Sequence, residues 1–433
     1  MAKLKVSSNI FQLNHKPILL LFGICLSSIG YIKLPISKFY LPLYFWILCL
    51  ISLLFFFEIV RLNKYKLFNF NKLNYKYFII ILSGFILLFL ITYGKGYEYT
   101  RIKPIVLFCL FFFFFINTLS IERGINYFLY GLILGGLLNC LIAYLQNNGL
   151  EFFVELREVL ADGKYKSNDA TDIKYWQRHP PGFAVTAIQF SYILSFLNII
   201  ILYFLFFKKI FKKFNMIIFF LIYLIYSGYG FLIFSKYLII SNLVFFTLFF
   251  LVRYKISIKK IIILSIFFTG VLFIELKQSD NFFSKLNETF KDRILLIEFS
   301  FLFLDKFPNG INQKNYKIEK EIVINSNFKN ERNINYLINT SPHNFILTSS
   351  HHSGYYVFYF QIIFLIFILI YLGKIIFGNR HDNFSKILYF AILNNMGYAT
   401  FHNSGIFNGD PITIVILSLL LTILSTKKKL FYD

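Results

Sequence analysis

The longest polar stretch of the chain, Thr289–Val357, begins TFKDRILLIEFSFLFLDKFPNGIN, passes through an Asn-rich run and ends SPHNFILTSSHHSGYYV. It carries Arg293 within a predicted helix and three of the seven histidines, His343, His351 and His352. The sequence on either side is almost entirely apolar. We therefore predict that a membrane scaffold holds this stretch as a loop at one water–lipid boundary.

The composition argues against a soluble globular fold. Of the 433 residues, 57% are hydrophobic and 21% aromatic, only 15% are charged, and the mean hydropathy is +0.64. A soluble protein of this length could not hide so much apolar surface, so lipid must solvate much of it. The formal net charge of +23 is divided among short clusters between apolar runs, as in loops that face anionic lipid. No basic face larger than a loop is present, and nucleic acid is not expected as a partner.

Apolar runs of bilayer-crossing length predict an all-α, polytopic membrane protein with about 12 transmembrane helices. The runs fall at about 17–34, 40–60, 77–93, 103–120, 127–145, 183–206, 216–234, 237–252, 261–276, 356–373, 387–402 and 411–426. We interpret the first run as a retained helix, because no small-residue cleavage site follows Leu34. Pro17, Pro104 and Pro411 are predicted at helix starts. The short Lys/Arg-rich connectors share one side of the membrane if both termini are cytoplasmic.

This topology predicts five segments: transmembrane helices 1–5 in 1–145, a first outer loop in 146–182, helices 6–9 in 183–276, a large outer loop in 277–355, and helices 10–12 with a cytoplasmic tail in 356–433. The seventh and eighth spans form a hairpin whose tip lies within 227–236.

The large outer loop is predicted to open with an amphipathic helix over about 284–305, which Pro308 ends. The apolar residues in the second half of this helix are expected to dip into the membrane; they are Phe299, Phe301, Leu302 and Leu304. The Asn-rich segment Asn309–Asn339 is predicted to be irregular.

Two cations in or beside the outer loops are candidates for binding an anionic ligand. Arg293 could hold a phosphate through two parallel hydrogen bonds, or it could form an ion pair with Glu298 or Glu288 on a wet helix face. Lys236, at the hairpin tip, could offer a point charge to a diphosphate, or it could be a snorkelling lysine at a helix end.

Further candidates lie close to predicted membrane boundaries. Arg178 and His179 end the first outer loop and could bind an anionic group or serve as a membrane anchor. His343 and Asn344 follow Pro342. A histidine of near-neutral pKa can take a proton from a sugar hydroxyl, and the alternative is a solvated loop histidine.

His351 and His352 offer a rival base or a metal pair. No further carboxylate or histidine stands at ligand spacing, so a metal is not expected. The four cysteines lie singly in apolar runs and predict neither a disulfide framework nor a zinc site; they are Cys25, Cys49, Cys109 and Cys140.

The order of four motifs resembles the O-antigen ligase and polymerase superfamily of bacterial inner-membrane glycosyltransferases. The matching segments are RHPPGFAVTAIQFSYILSF (Arg178–Phe196), FSKYLIISNLVFF (Phe234–Phe246), DRILLIEFSFLFLDKFPNGIN (Asp292–Asn312) and PHNFILTSSHHSGYYV (Pro342–Val357). They resemble, in turn, an Arg/Gly start of a span, a Ser-Arg hairpin tip, an arginine helix that Pro and Gly end, and a His-Asn element followed by Gly354. Two positions depart from the family pattern: Lys236 replaces an arginine, and Val357 replaces a small or hydroxylated residue.

The resemblance implies a GT-C-like enzyme of the inner membrane, with its large periplasmic loop between spans 9 and 10. Such enzymes transfer a glycan from undecaprenyl diphosphate to a sugar hydroxyl, with inversion and without metal or cofactor. The divergent motifs favour a polymerase, whose acceptor is another lipid-linked repeat unit and whose partner is often a chain-length regulator. The alternatives are a ligase, which transfers the glycan to the lipid A-core, and, from another class, a flippase or other transporter.

The same resemblance implies roles for the candidate residues. His343 and Arg293 are expected to be catalytic. Arg178, His179, Lys236 and Asn344 are expected to bind the diphosphate or the substrate.

Overall fold

A computed structural model describes residues 15–34, 41–61, 75–94, 98–121, 123–150, 152–154, 180–184, 187–207, 213–232, 236–254, 280–340, 342, 344–378, 383–399 and 405–426. Nearly all of these residues are helical. The strands in this part of the chain are β1 (Lys33–Leu34) and β2 (Leu41–Pro42), which pair antiparallel.

The helices are α1 (His15–Ser27), α2 (Leu43–Arg61), α3 (Lys76–Thr92), α4 (Glu98–Ser120), α5 (Gly124–Asn147), α6 (Ala187–Phe207), α7 (Lys213–Leu232), α8 (Lys236–Tyr254), α9 (Asp280–Lys306), α10 (Gln313–Asn327), α11 (Glu331–Asn339), α12 (Phe345–Ser353), α13 (Tyr355–Gly378), α14 (Asn383–Ala399) and α15 (Pro411–Thr426). They fall into two compact units. The first lies within Met1–Phe68, Phe113–Ile201 and Lys213–Ile239, and the second within Asn69–Phe112, Leu202–Lys212 and Ile240–Asp433. Helices α4, α6 and α8 contribute residues to both.

Among the described residues, four helical segments are long and apolar enough to cross a membrane: Arg101–Leu119, Gly124–Asn147, Gln189–Phe207 and Tyr355–Gly378. Shorter apolar helices include His15–Ser27, Leu43–Glu58, Lys76–Thr92, Met216–Gly230 and Pro411–Thr426. These helices support a membrane-embedded, helical protein. The predicted span 261–276 lies outside the described residues, and the count of 12 and the GT-C-like arrangement stay predictions.

Several boundaries differ from the sequence-based expectation. The predicted helix at 17–34 ends at Ser27, and the chain then forms a 3-10 turn at Ile29–Tyr31 and the strand β1. Pro104 lies inside α4 rather than at its start, because the helix already begins at Glu98. Pro411 is the first residue of α15, as predicted, where its missing N–H costs no hydrogen bond.

In the first unit, α1 and α5 approach closely because glycines line their contact. A Cβ atom at Gly131 would lie 2.1 Å from Leu20 O, and one at Gly135 would lie 2.2 Å from Ser27 Oγ. The Ser27 hydroxyl donates across the contact to Leu132 O at 2.7 Å. Small residues four positions apart permit this backbone approach in apolar surroundings, where tight packing and interhelical hydrogen bonds hold helices together.

In the second unit, α9, α10 and α11 pack around a core of their own. Its buried members are Leu296, Phe299, Phe303, Val323, Ile324 and Leu337. The prediction that Asn309–Asn339 is irregular is wrong, because most of that segment forms α10 and α11. The expectation that Phe299 and Leu304 dip into lipid is wrong too, since both side chains are fully buried within the protein.

Candidate functional site

Two of the four segments that carry the family resemblance, Asp292–Asn312 and Pro342–Val357, contact each other. They meet where the turn Pro308–Gly310, called the Pro308 turn below, packs against the end of α12. Ile311 N–H donates to His351 O at 3.2 Å, and Tyr355 N–H donates to Pro308 O at 2.9 Å. Gly310 (φ +74°) and Gly354 (φ +85°) face this contact, and a Cβ atom on either would lie within 2.4 Å of the opposite backbone. Both positions therefore require glycine, for conformation and for space.

Arg293 is half-buried on α9, one helical turn before Leu296 of the loop core. Its Nη1 atom is buried and has no hydrogen-bond partner among the described residues. Burial lowers its pKa, while Tyr336, Asp292 and Tyr398 act in the opposite direction. Arg293 forms no ion pair with Glu298 among the described side chains. The side chain of Glu288 lies outside the described residues. A guanidinium stays charged in proteins, so Arg293 holds a buried, charged N–H group without an acceptor among the described residues.

Asn344 has a local structural role. Its Oδ1 accepts hydrogen bonds from Ile346 N at 2.9 Å and Leu347 N at 3.1 Å, which makes it the N-cap of α12. An Asn at this position satisfies backbone donors that the first helical turn leaves open. The preceding residue, His343, lies outside the described residues, so its predicted catalytic role stays a prediction.

The rival bases His351 and His352 are buried, in contrast to a solvent-facing general base. The Nδ1 atom of His351 lies 3.1 Å from Tyr316 Oη, and its ring packs against those of Phe299 and Phe303. Burial is the main cause that lowers the pKa of His351 to about 3 and that of His352 to about 4. Both rings are therefore neutral at pH 7 and serve the packing of α12. Among the described residues, no group of three or more His, Cys, Asp or Glu side chains is placed to hold a metal.

Lys320 of α10 secures the end of α11. Its ammonium group donates to Ile338 O and Thr340 O, each at 2.9 Å. Burial lowers its pKa to about 8. A cation that donates hydrogen bonds to the last carbonyl groups of a helix is favoured by the helix dipole. Lys320 therefore stabilises α11 within the Asn-rich segment.

Sequence reasoning missed a buried polar cluster in the second unit. Arg101 is only 1% exposed, and its Nη1 donates to Phe407 O at 3.2 Å. When the Gln361 amide is oriented with its oxygen toward Arg101, Arg101 Nη1 also donates a hydrogen bond to that oxygen at 3.1 Å. Ser349 Oγ also bonds the Gln361 amide. The sequence signals were the single Gln in the first half of an apolar span and the Arg-x-Lys-Pro start of another.

Asp410 lies close to this cluster in the chain and caps α15. Its carboxylate accepts from Thr413 N at 2.8 Å and from Thr413 Oγ1 at 2.6 Å. Burial raises its pKa, while Thr413 and Lys103 oppose the shift. Arg101 and Asp410 thus both lie at the start of an apolar helical segment. At such a position, neighbouring backbone groups can form hydrogen bonds with a charged side chain.

In the first unit, polar side chains of α5 accept hydrogen bonds from the backbone at 182–183, where the predicted sixth span starts. Gly182 N–H donates to Gln146 Oε1 at 2.9 Å, and Phe183 N–H donates to Asn139 Oδ1 at 2.6 Å. Arg178 and His179, which precede this turn, lie outside the described residues. Lys236 is the first residue of α8, and its side chain lies outside the described residues, so its place at the tip of a hairpin stays a prediction.

Fold and geometry together define a membrane-embedded, helical protein with a packed polar loop. Comparison of the chain with protein-family models, with characterised proteins and with solved structures finds no match in any of the three. Any narrower assignment must therefore come from the residues themselves.

Proposed function

We propose that the protein is an O-antigen polymerase of the bacterial inner membrane, which transfers a glycan from undecaprenyl diphosphate to a hydroxyl of another lipid-linked repeat unit. The observation that carries the proposal is Arg293, a half-buried arginine whose Nη1 atom faces no acceptor among the described residues. An arginine left with an open, partly desolvated donor is suited to a phosphate group. The segment that carries Arg293 also packs closely against the segment that carries Asn344, through Gly310 and Gly354, and this contact supports a shared site.

In the proposed reaction, the bond between the anomeric carbon and the diphosphate oxygen breaks, and its electron pair leaves with the lipid diphosphate. The acceptor hydroxyl oxygen bonds to the anomeric carbon from the opposite side, and its proton passes to the imidazole of His343. Arg293, with Lys236, Arg178 and His179, stabilises the charge that grows on the leaving diphosphate. Asn344 acts through the helix cap, which fixes the chain next to His343.

The test replaces Arg293 in a strain whose own copy of the gene is deleted and follows long-chain polysaccharide on a gel. Arg293→Ala is expected to reduce chain formation by about 100-fold or more, the usual loss when a donor to a developing charge is removed. Arg293→Lys should be intermediate, because a lysine offers charge without the paired donors. Arg332→Ala, an exposed arginine of the same loop, is the matched control and should leave the ladder unchanged. A normal ladder from Arg293→Ala at normal expression would remove this residue from the proposal.

The deletion strain itself separates the two members of the superfamily. A single repeat unit on the lipid A-core indicates a polymerase. A core without any repeat, with polymer retained on the lipid carrier, indicates a ligase.

A flippase or other transporter is the competing class. Its mark would be charged groups midway along the apolar helices. In the described part of the chain, Arg101 is the first residue of its apolar segment and Asp410 immediately precedes α15. This placement favours the transferase. Accumulation of unflipped lipid-linked repeat units in the deletion strain would favour the transporter instead.

A further inference from the structure

One face of α9 carries apolar side chains that the core of the loop does not use. Ile294, Ile297 and Phe301 are 52%, 43% and 39% exposed. They stand three and four positions apart and so lie along one face of the helix. The opposite face packs into the loop core through Leu296 and Phe303. A contiguous set of exposed large apolar side chains marks a surface that contacts something other than water.

A second apolar surface lies on α13. This helix is long and apolar enough to cross a bilayer, with a mean hydropathy of 2.5 over its most apolar part. Tyr359, Ile363 and Ile370 are each more than half exposed, and they recur at helical spacing. The other face is buried, with Gln361 and Ile368 fully enclosed. An apolar face of this kind on a helix of this length is suited to lipid.

The two apolar faces meet where α9 ends and α13 begins. The ring of Phe301 lies 5.7 Å from that of Phe358 in an edge-to-face contact. One turn further along α9, the Asp305 carboxylate accepts a hydrogen bond of 2.6 Å from Tyr355 Oη. The exposed face of α9 is therefore continuous with the part of α13 where the lipid-facing surface starts.

Charged residues mark the other edge of the α9 surface. Lys291, Glu298 and Asp305 are exposed and follow one another at intervals of seven residues, so they form a line beside Ile294 and Phe301. An apolar stripe bordered by a charged line is the pattern of a helix that lies in the plane of a membrane surface.

We propose that α9 lies on the bilayer that α13 crosses, with Ile294, Ile297 and Phe301 inserted among the lipids and the Lys291–Asp305 line facing water. The occupant of this surface is the lipid bilayer itself. The inference does not depend on glycan transfer. It keeps Phe301 from the sequence-based prediction for the helix, and it places Ile294 and Ile297 in the lipid instead of the buried Phe299 and Leu304.

The test measures the depth of spin labels on the full-length protein in vesicles of phosphatidylcholine and phosphatidylglycerol. Single cysteines at positions 294, 297 and 301 are labelled in a background where the four native cysteines are alanine. Labels at 291 and 298 are the matched controls, and a label at 363 on α13 is the membrane reference. We expect positions 294, 297 and 301 to collide more with oxygen than with a water-soluble nickel chelate, as position 363 does. Positions 291 and 298 should show the reverse.

Two outcomes overturn the proposal. Nickel accessibility at 294, 297 and 301 equal to that at 298 would show that the face is in water. Low accessibility to both reagents would show that a protein surface, such as a second copy, covers it. If the cysteine-free protein does not fold, Ile297→Trp and Glu298→Trp in the native background replace the labels. Bromine-labelled lipid should then quench the fluorescence of Ile297→Trp more strongly than that of Glu298→Trp, and equal quenching would refute the idea.

Discussion

The contact between the Pro308 turn and the end of α12 can be broken by adding one methyl group. In Gly354→Ala, the new Cβ atom would lie 2.2 Å from Pro308 O, at a residue with φ 85° and ψ −174°. That backbone region is essentially restricted to glycine and costs about 1–3 kcal/mol for other residues. The overlap also forces the contact open. Its two hydrogen bonds, Tyr355 N to Pro308 O and Ile311 N to His351 O, are worth about 1 kcal/mol each.

We therefore expect Gly354→Ala to lower the free energy of unfolding by about 3–5 kcal/mol. Gly310→Ala has φ +74° and a Cβ atom 2.4 Å from His352 O. It should cost about 3–4 kcal/mol, at or slightly below the loss for Gly354→Ala, because left-handed backbone is less costly than the region of Gly354. Both changes remove the same contact, so the double variant should cost less than the sum of the two.

Two other glycines separate the causes of this loss. Gly94 has φ +79° but nothing within 4 Å of an added Cβ, so Gly94→Ala reports backbone strain alone, about 1–2 kcal/mol. Gly228 lies inside α7 with ordinary φ and open space, so Gly228→Ala should be neutral or stabilising by up to about 1 kcal/mol. Thermal unfolding of the purified variants in one detergent, followed by intrinsic fluorescence, gives the order. Unfolding of Gly354→Ala and Gly310→Ala at the same temperature as Gly94→Ala would show that the contact at Pro308 adds nothing to stability.

Three further predictions concern other parts of the second unit. Because the pKa of His351 is lowered to about 3 and that of His352 to about 4, the folded protein binds fewer protons than the unfolded chain below the ordinary value of 6.5. Stability should fall as the pH drops from about 6.5 to about 4, and a melting series of the double variant His351→Gln/His352→Gln should be flatter. Asn344→Ala should cost about 0.5–2 kcal/mol through the lost cap, whereas Asn344→Ser should keep both stability and polysaccharide chains; loss of chains in a stable Asn344→Ser protein would indicate a direct substrate contact. Gln361→Leu should cost about 1–3 kcal/mol by leaving Arg101 and Ser349 with fewer partners, and an unchanged melting temperature would argue against the buried network.

The apolar helices were the most predictable part of the fold. The predicted run 411–426 coincides with α15, because Pro411 starts the helix and the apolar residues end where lysines begin. The predicted boundary between the seventh and eighth spans, within 227–236, agrees with α7 ending at Leu232 and α8 beginning at Lys236. Long hydrophobic runs leave few alternatives to helix in a membrane.

The loop was less predictable, because its order comes from tertiary burial. In α10 and α11 the residues fully enclosed by the loop core include Val323, Ile324 and Leu337, and Asn-rich neighbours weaken the local helix signal. The cap that Asn330 provides for α11, and the ammonium group of Lys320 at its other end, could be interpreted only once the helix was known.

The candidate site was predicted in part. Arg293 stood out in the sequence because it is an isolated arginine in an amphipathic helix, and the structure places it beside aromatic hydroxyls with an open donor. Arg101 did not stand out, because it lies in a basic cluster of ordinary appearance. Only the packing of Phe407 and Gln361 around it distinguishes it from a surface cation.

Gly354 is the only residue between α12 and the long apolar helix α13, and the N–H of Tyr355 is already bonded to Pro308 O. A linker of one residue, hydrogen-bonded on its far side, couples the orientations of α12, α13 and the Pro308 turn. A change in bilayer thickness that tilts α13 would carry the Pro308 turn with it, and with that turn the end of α9. If α13 crosses the bilayer as proposed, the thickness of the surrounding membrane would therefore affect the orientation of α9, the helix that bears Arg293.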